Sequence, residues 1–311
     1  VYTMEEDIDK TAADMAATAA PGSQRSMWQE TWRRFKKNKL AMAGLSFLLL
    51  LVVIAVATLV IDLVTGKDIY NNYVIKQDLR GRLDPPSFAH WFGKDEFGRD
   101  MFYRILWGIR YSLFMGTIAI AISCVIGGSI GAIAGYYGGK IDNVIMRFMD
   151  ILLAIPSMLL AIAIVAALGT SLVNVLMAIA ISYIPTFART ARAPVLTIKD
   201  QEFVEAGKAV GASDARIIFR YIIPNSLAPI IVQVTLGVAG AILSIAGLSF
   251  LGLGIQPPTP EWGAMLSNAR TYIRDSWHIT VIPGMAIMLT ILALNVIGDG
   301  LRDALDPKLK N

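Results

Sequence analysis

The 311-residue chain is 55% hydrophobic and only 17% charged, with a mean hydropathy of +0.56. Soluble proteins carry about 25% charged residues, so an ordinary soluble domain is excluded, and the missing charge is missing in blocks, as a bilayer requires. Net charge is +4 and there is one cysteine, Cys124, which rules out a disulfide within the chain. Basic residues flank apolar runs instead of forming a stripe, a pattern that speaks for a membrane and against nucleic acid as partner.

Residues 1–26 are polar and Ala-rich, with no apolar run, and are expected to form a disordered cytoplasmic tail rather than a secretory signal. Met27, Trp28, Trp32 and Phe35 then recur at helical spacing among basic residues, which predicts an amphipathic helix over 27–39 on the inner membrane surface. An ordinary soluble helix is the alternative. The first span is Leu40–Ile61, uncharged between Lys39 and Asp62. Residues 62–110 form the one sizeable outward segment, broken by Pro85-Pro86, Gly93 and Gly98, with Asp100 placed to cap a helix. Trp107 and Tyr111 are expected at the outer interface.

The second span lies within Tyr111–Gly139. Gly127, Gly131, Gly135 and Gly139 repeat every four residues along it and predict a smooth ridge for close helix packing, with pore lining as the second reading. Ile151–Ala188 is uncharged and too long for one crossing, so it is divided at Gly169-Thr170-Ser171 into spans three and four, span three starting near Asn143. Tyr221–Pro260 holds span five, ending near Gly252 or Gly254, and Ser276–Gly298 is span six. Pro156, Pro185 and Pro283 fall inside spans and are expected to kink them. Asp150 is assigned to a structural pair with Arg147 one turn earlier, and Asn174 and Asn295 to hydrogen bonds between helices. The fold class expected is therefore all-α, a polytopic membrane protein with six transmembrane helices. Six spans put both termini on one side, and the Lys and Arg residues at the span ends make that side cytoplasmic. The transmembrane core would run over 111–300 and a short cytoplasmic tail over 301–311.

No catalytic or metal-binding constellation is visible. His90 and His278 are far apart, and the Gly-Lys pairs at Gly66, Gly93, Gly139 and Gly207 lack the remainder of a phosphate-binding loop. No cofactor is expected on this chain.

Between spans four and five lies a polar, helix-prone island over 196–224. Asp200 is placed to cap a helix through Glu205 and Ala206, Gly211 to end it in a left-handed turn, and Ser213 or Asp214 to start a second helix that Pro224 closes. A plain linker is the bland alternative, but connections are usually far shorter.

This island resembles the EAA loop of permease subunits of ABC importers: Glu205, Ala206, Gly207, Gly211, Tyr221, Ile223 and Pro224 occupy the places of that pattern. Gly207, Tyr221 and Ile223 depart from its usual second Ala, Ile and Leu, while the spacing from Glu205 through Gly211 to Pro224 is kept. HWFGKDEFGRD (His90–Asp100), SFLGLGIQPPTPEWG (Ser249–Gly263) and GDGLRDALDP (Gly298–Pro307) are similar to the C-type permease subunits of the dipeptide/oligopeptide/nickel importers. The resemblance implies a type I ABC importer permease fold in a bacterial cytoplasmic membrane. Its expected partners are a second, B-type permease subunit, one or two ABC ATPase subunits that bind ATP and Mg, an extracytoplasmic substrate-binding protein and membrane lipid. It also implies that the seven EAA residues contact an ATPase, and that the cargo is a peptide or, alternatively, glutathione or a nickel chelate. An ion-coupled secondary transporter is the rival of another class; the nearly charge-free interior of the spans argues against it.

Overall fold

The structure, a computed structural model, describes residues 27–305. The tail expected over 1–26 and residues 306–311 of the second tail lie outside the described residues. Helix α1 (Met27–Lys37) is followed by α2 (Lys39–Val64), which Asn38 caps by accepting the Ala41 N–H. The buried face of α1 carries Thr31 and Phe35, and Phe35 packs with Ala41, Ile297 and Ala304 at one end of the bundle. Helix α2 runs past its predicted end at Ile61 because Asp62 is neutralised there. Trp107 Nε1 donates to Asp62 Oδ1 at 2.9 Å, and Arg110 Nη1 lies 2.7 Å from Asp62 Oδ2. Trp107 is thus a buried hydrogen-bond donor, not the interfacial ring its position suggests.

Helix α3 (Met101–Tyr137) is 37 residues long. Asp100 caps it as expected, accepting from the N–H groups of Phe102 and Tyr103. The helix starts ten residues before the predicted span, so 101–110 belong to it rather than to an outer loop. At 1.5 Å per residue it is about 55 Å long, more than a hydrocarbon core of about 30 Å requires, and it projects beyond the apolar zone.

Helices α4 (Gly139–Ala154) and α5 (Ser157–Leu168) meet at a bend of 85°. Pro156 lies at the break, and Ile155 before it takes the extended backbone that a following proline imposes. The third span expected as one helix from about Asn143 is thus two. Helix α6 (Leu172–Ile198) keeps Pro185 and Pro194 inside it and continues past the predicted end at Ala188. Two ion pairs permit this: Arg192 grips Asp142 through Nε and Nη2, and Arg189 Nη2 lies 2.6 Å from Asp150 Oδ1. The partner of Asp150 is therefore Arg189 and not Arg147. Asn174 bonds between helices as expected: its amide donates to the Leu168 and Gly169 carbonyls that end α5.

After α6 come the short helices α7 (Glu202–Ala209) and α8 (Asp214–Ile217), a π-helical turn over Ile218–Ile222 and the single turn α9 (Ile223–Asn225). Helix α10 (Leu227–Phe250) leads to α11 (Trp262–Ala269) and then α12 (His278–Leu305), which extends beyond the predicted Gly298 and contains Pro283.

Contacts between helices fix the relative direction of α3 and α6. Near one end Leu172 and Leu176 of α6 line the same crevice as Ile118 of α3 and Leu63 of α2. Farther along, Gly127 meets Ile184 and Ala188, Gly131 meets Ala188, and Gly135 meets Arg192 and Val195. Both numberings rise together, so α3 and α6 run parallel. Parallel neighbours require the intervening chain to return the full length of the bundle, and α4 with α5 supplies that crossing. The bent pair is therefore one broken span, and with the five long apolar helices the chain crosses six times. The start of α2 and the end of α12 meet at the same end, where a Cβ on Gly300 would run into Ala41.

A Cβ added at Gly127 or Gly131 would overlap a backbone carbonyl of α6, and at Gly135 it would come 2.9 Å from Val195. Gly139 does not belong to this ridge. The helix stops at Tyr137, Gly138 and Gly139 both have positive φ, and nothing lies within 4 Å of the missing Gly139 side chain. A buried hydrogen bond from Ser123 Oγ to the Ala180 carbonyl, 2.7 Å, joins the same two helices.

At the opposite end from the α7–α9 connection, the segment between α2 and α3 folds over an ionic cluster. Arg99 Nε lies 2.6 Å and Arg104 Nε 3.2 Å from Asp95 Oδ2, and Asp95 Oδ1 accepts two backbone N–H groups. Arg104 Nη1 also donates to the Val74 and Pro258 carbonyls, tying the segment to the loop before α11. Gly98, at φ +74°, is confined to glycine because a side chain there would strike the Asp78 carbonyl. Nearer the surface, a hydrogen bond from Lys94 holds the Asp78 carboxyl below its ordinary value, while burial pushes the Glu96 carboxyl up. Glu261 is buried but fully used: it caps α11 at Gly263 and Ala264 and accepts the hydroxyls of Ser112 and Ser249.

Candidate functional site

The connection from α7 to α9 is a helix–turn–helix held at the end of the bundle where α3 and α6 finish. Helix α7 begins one residue later than the sequence suggests. Gln201, not Asp200, takes the extended cap conformation, and no side chain caps it. Its other end is a closed turn. The Gly211 N–H donates to the Lys208 carbonyl and the Ala212 N–H to the Gly207 carbonyl, with Gly211 at φ +78°. This pair of bonds satisfies the last carbonyls of α7 and requires a left-handed residue between them. Ser213 then caps α8 through the Arg216 N–H. Pro224 does not close the unit; it sits in the first turn of α9, and helical chain continues to Asn225.

One face of this unit is sealed to the bundle. Val204, Ile217, Ile218 and Ile222 pack with Ala132 of α3 and with Val195 and Ile198 of α6. Two tyrosines add polar anchors: Tyr136 Oη donates to Asp214 Oδ1 at 2.7 Å and Tyr137 Oη to Asp214 Oδ2 at 3.2 Å. Sequence reasoning missed these tyrosines. The signal was there in two adjacent phenols at the end of a glycine-rich span, which lipid-facing apolar residues would serve better.

The other face is open. Glu205, Ala206, Gly211 and Pro224 are exposed, and the Glu205 carboxylate has no partner among the described residues. Around them stand Phe203, Val210 and Phe219, the latter two 83% and 69% exposed. Large apolar side chains left exposed on a short polar connection mark a surface built for contact.

The two largest departures from the EAA pattern meet each other. Gly207 is buried under the ring of Tyr221, and a Cβ there would lie 3.7 Å from Tyr221 Cε2. That is ordinary van der Waals contact, so the helix loses no fit from the pairing. Ile223 is half-buried beside the same cluster. The structure thus places Gly207, Tyr221 and Ile223 on the sealed side of the unit and leaves Glu205, Ala206, Gly211 and Pro224 exposed, whereas Gly127, Gly131 and Gly135 lie along the α3–α6 seam.

Residues 127–311 match the binding-protein-dependent transport system inner membrane component family, and residues 26–86 match the N-terminal TM domain of oligopeptide transport permease C. The chain belongs to this family of transport-system permeases. It is 50% identical over 286 residues to the dipeptide transport system permease protein DppC of Alkalihalophilus pseudofirmus, covering 92% of this chain and 91% of the relative. It is 47% identical over 296 residues to the glutathione transport system permease protein GsiD of Escherichia coli O157:H7, covering 93% of each. Among solved structures, the inward-facing MetNI methionine ABC transporter contains a chain of the same fold, with a TM-score of 0.55 at 18% identity over 66% of this chain and 98% of that one. This permease is accordingly a multi-pass component of a bacterial inner membrane and a subunit of an ABC importer. The type I importer permease fold expected for it is the fold it has.

Proposed function

We propose that this permease forms, with a second permease subunit, the path by which short peptides enter the cell, and that ATP hydrolysed on partner ATPase chains drives it through the Glu202–Asn225 unit. The observation that carries the coupling is the division of that unit into a sealed face and an open one. Its sealed face transmits force to α3 and α6, and its open face offers Glu205 and the apolar Phe203, Val210 and Phe219 to a partner groove. Glu205 accepts hydrogen bonds from the ATPase, and the Gly211 turn sets the angle between the two helices. Coupling of this kind requires contacts that differ between the inward- and outward-facing states. In this reading both termini and the unit lie in the cytoplasm, and an extracytoplasmic binding protein docks on the segment between α2 and α3. Support for a peptide cargo comes from the relatives named for dipeptide and glutathione transport, since glutathione is itself a short peptide.

The test is a reconstituted importer that carries Gly211→Val or Glu205→Ala. Peptide uptake is expected to fall at least tenfold in each, with membrane insertion and assembly of the permease pair retained. Wild-type uptake by Gly211→Val would count decisively against the coupling role.

A further inference from the structure

A crevice of about 400 Å³ opens between the last turns of α2, the first half of α3 and the start of α6. It lies at the far end of the bundle from the Glu202–Asn225 unit and has no part in the proposed coupling. Its walls are apolar: Leu59, Leu63, Ile118 and Leu172 line it and are exposed to the surroundings of the bundle. These residues belong to helices that cross the membrane, and their side chains form an apolar wall against which an acyl chain can lie.

The mouth of the crevice is charged. Asp62 and Arg110 line it but are spent on each other, 2.7 Å apart, with Trp107 holding the second carboxylate oxygen. Lys67 lines it too, on the turn that follows α2, and its ammonium has no partner among the described residues. One acid against two bases leaves a net positive rim over an apolar slot. Lysine at a span end reaches toward the interface, where lipid headgroups lie.

We propose that this crevice is a binding site for an anionic phospholipid, its phosphate at Lys67 and an acyl chain along Leu59, Leu63, Ile118 and Leu172. Charge complementarity selects this occupant over a zwitterionic lipid, and the continuous apolar wall selects an amphiphile over free phosphate. The proposal rests on the placement of these helices in a membrane and not on the nature of the cargo or the coupling.

The assembled importer, purified and placed in nanodiscs, tests it with phosphatidylglycerol or phosphatidylcholine carrying a photoactivatable group on the acyl chain. Cross-linked peptides from residues 59–63 and 118 are expected to capture phosphatidylglycerol about fivefold more than phosphatidylcholine, the preference one lysine near a lipid surface supplies. Lys67→Asn should bring the two lipids to parity. Lys67 has φ +70°, a conformation asparagine adopts more readily than lysine, so the variant removes the charge without disturbing the turn. An unchanged melting temperature of the importer checks this. Equal capture of both lipids by the wild-type chain, or a preference that survives Lys67→Asn, overturns the proposal. So does absence of lipid capture together with a disulfide formed by Leu63→Cys with the second permease subunit, which makes the crevice a protein interface.

Discussion

Single glycines here do three different jobs, and the space around each predicts what a methyl group would do. Gly131 faces the carbonyl of Ala188, so Gly131→Ala must push α3 off α6 and should cost about 1–3 kcal/mol. Gly128, three residues earlier, has nothing within 4 Å, and Gly128→Ala should leave the melting temperature of the detergent-solubilised permease unchanged or raise it. Gly207→Ala meets only an ordinary contact with Tyr221; helix propensity favours it by up to about 1 kcal/mol, and uptake should remain within twofold of wild type. Gly211 is different again, because at φ +78° any side chain strains the turn whatever the space. Much of this was legible in the sequence. Gly211 followed by Ser213 announces a helix stop and a helix start, and the structure has both. Gly139 shows the limit of a spacing rule: the four-residue period persists, but the helix carrying it has already ended at Tyr137.

At the scale of elements, the sequence located the apolar runs but not their ends. Charges thought to stop a span were absorbed by partners distant in the chain, Asp62 by Arg110 and Arg189 by Asp150, and no local pattern announces such pairs. Pro156 was visible, yet whether a proline bends a helix gently or breaks it by 85° depends on what packs on either side. The segment between α2 and α3 supports a pH prediction. Asp78 titrates below its ordinary value because of Lys94, so the pair stabilises the segment above about pH 4, and this contribution disappears as pH falls through the depressed value. Glu96 works in the opposite sense: its carboxyl is raised by burial, so what it contributes is present in acid and lost as pH rises through the raised value. Lys94→Met should remove the Asp78 component, together with the longer 3.9 Å pair to Asp84, and leave that of Glu96, seen as a flatter loss of protection in hydrogen exchange of residues 78–84 between pH 5 and pH 3.

For the whole molecule, the two ends of the bundle are built by different means. One is closed by buried ions and by Glu261, whose carboxylate serves α3, α10 and α11 together; the other carries a small helical unit seated on an apolar bed. On the proposed function, the first receives the binding protein and the second the ATPase. Shortening the 79–90 stretch should therefore abolish stimulation of ATP hydrolysis by the binding protein while leaving basal hydrolysis by the assembled importer intact, a difference that a phosphate-release assay reads directly. The sequence did reveal the resemblance to ABC importer permeases, because its motifs are local. It did not reveal that α3 and α6 lie parallel, since that depends on which span returns between them.

The parallel seam has a mechanical consequence. Two rods free to slip bend independently, but two rods fastened along their length bend as a single girder of much greater stiffness. Glycine brings the α3 and α6 backbones into contact, and the Ser123–Ala180 hydrogen bond pins them against slip. A load applied where Val195 and Ala132 meet the small helical unit would thus reach, with little lost to flexing, the start of α6 at Leu172 and the middle of α3 near Ile118.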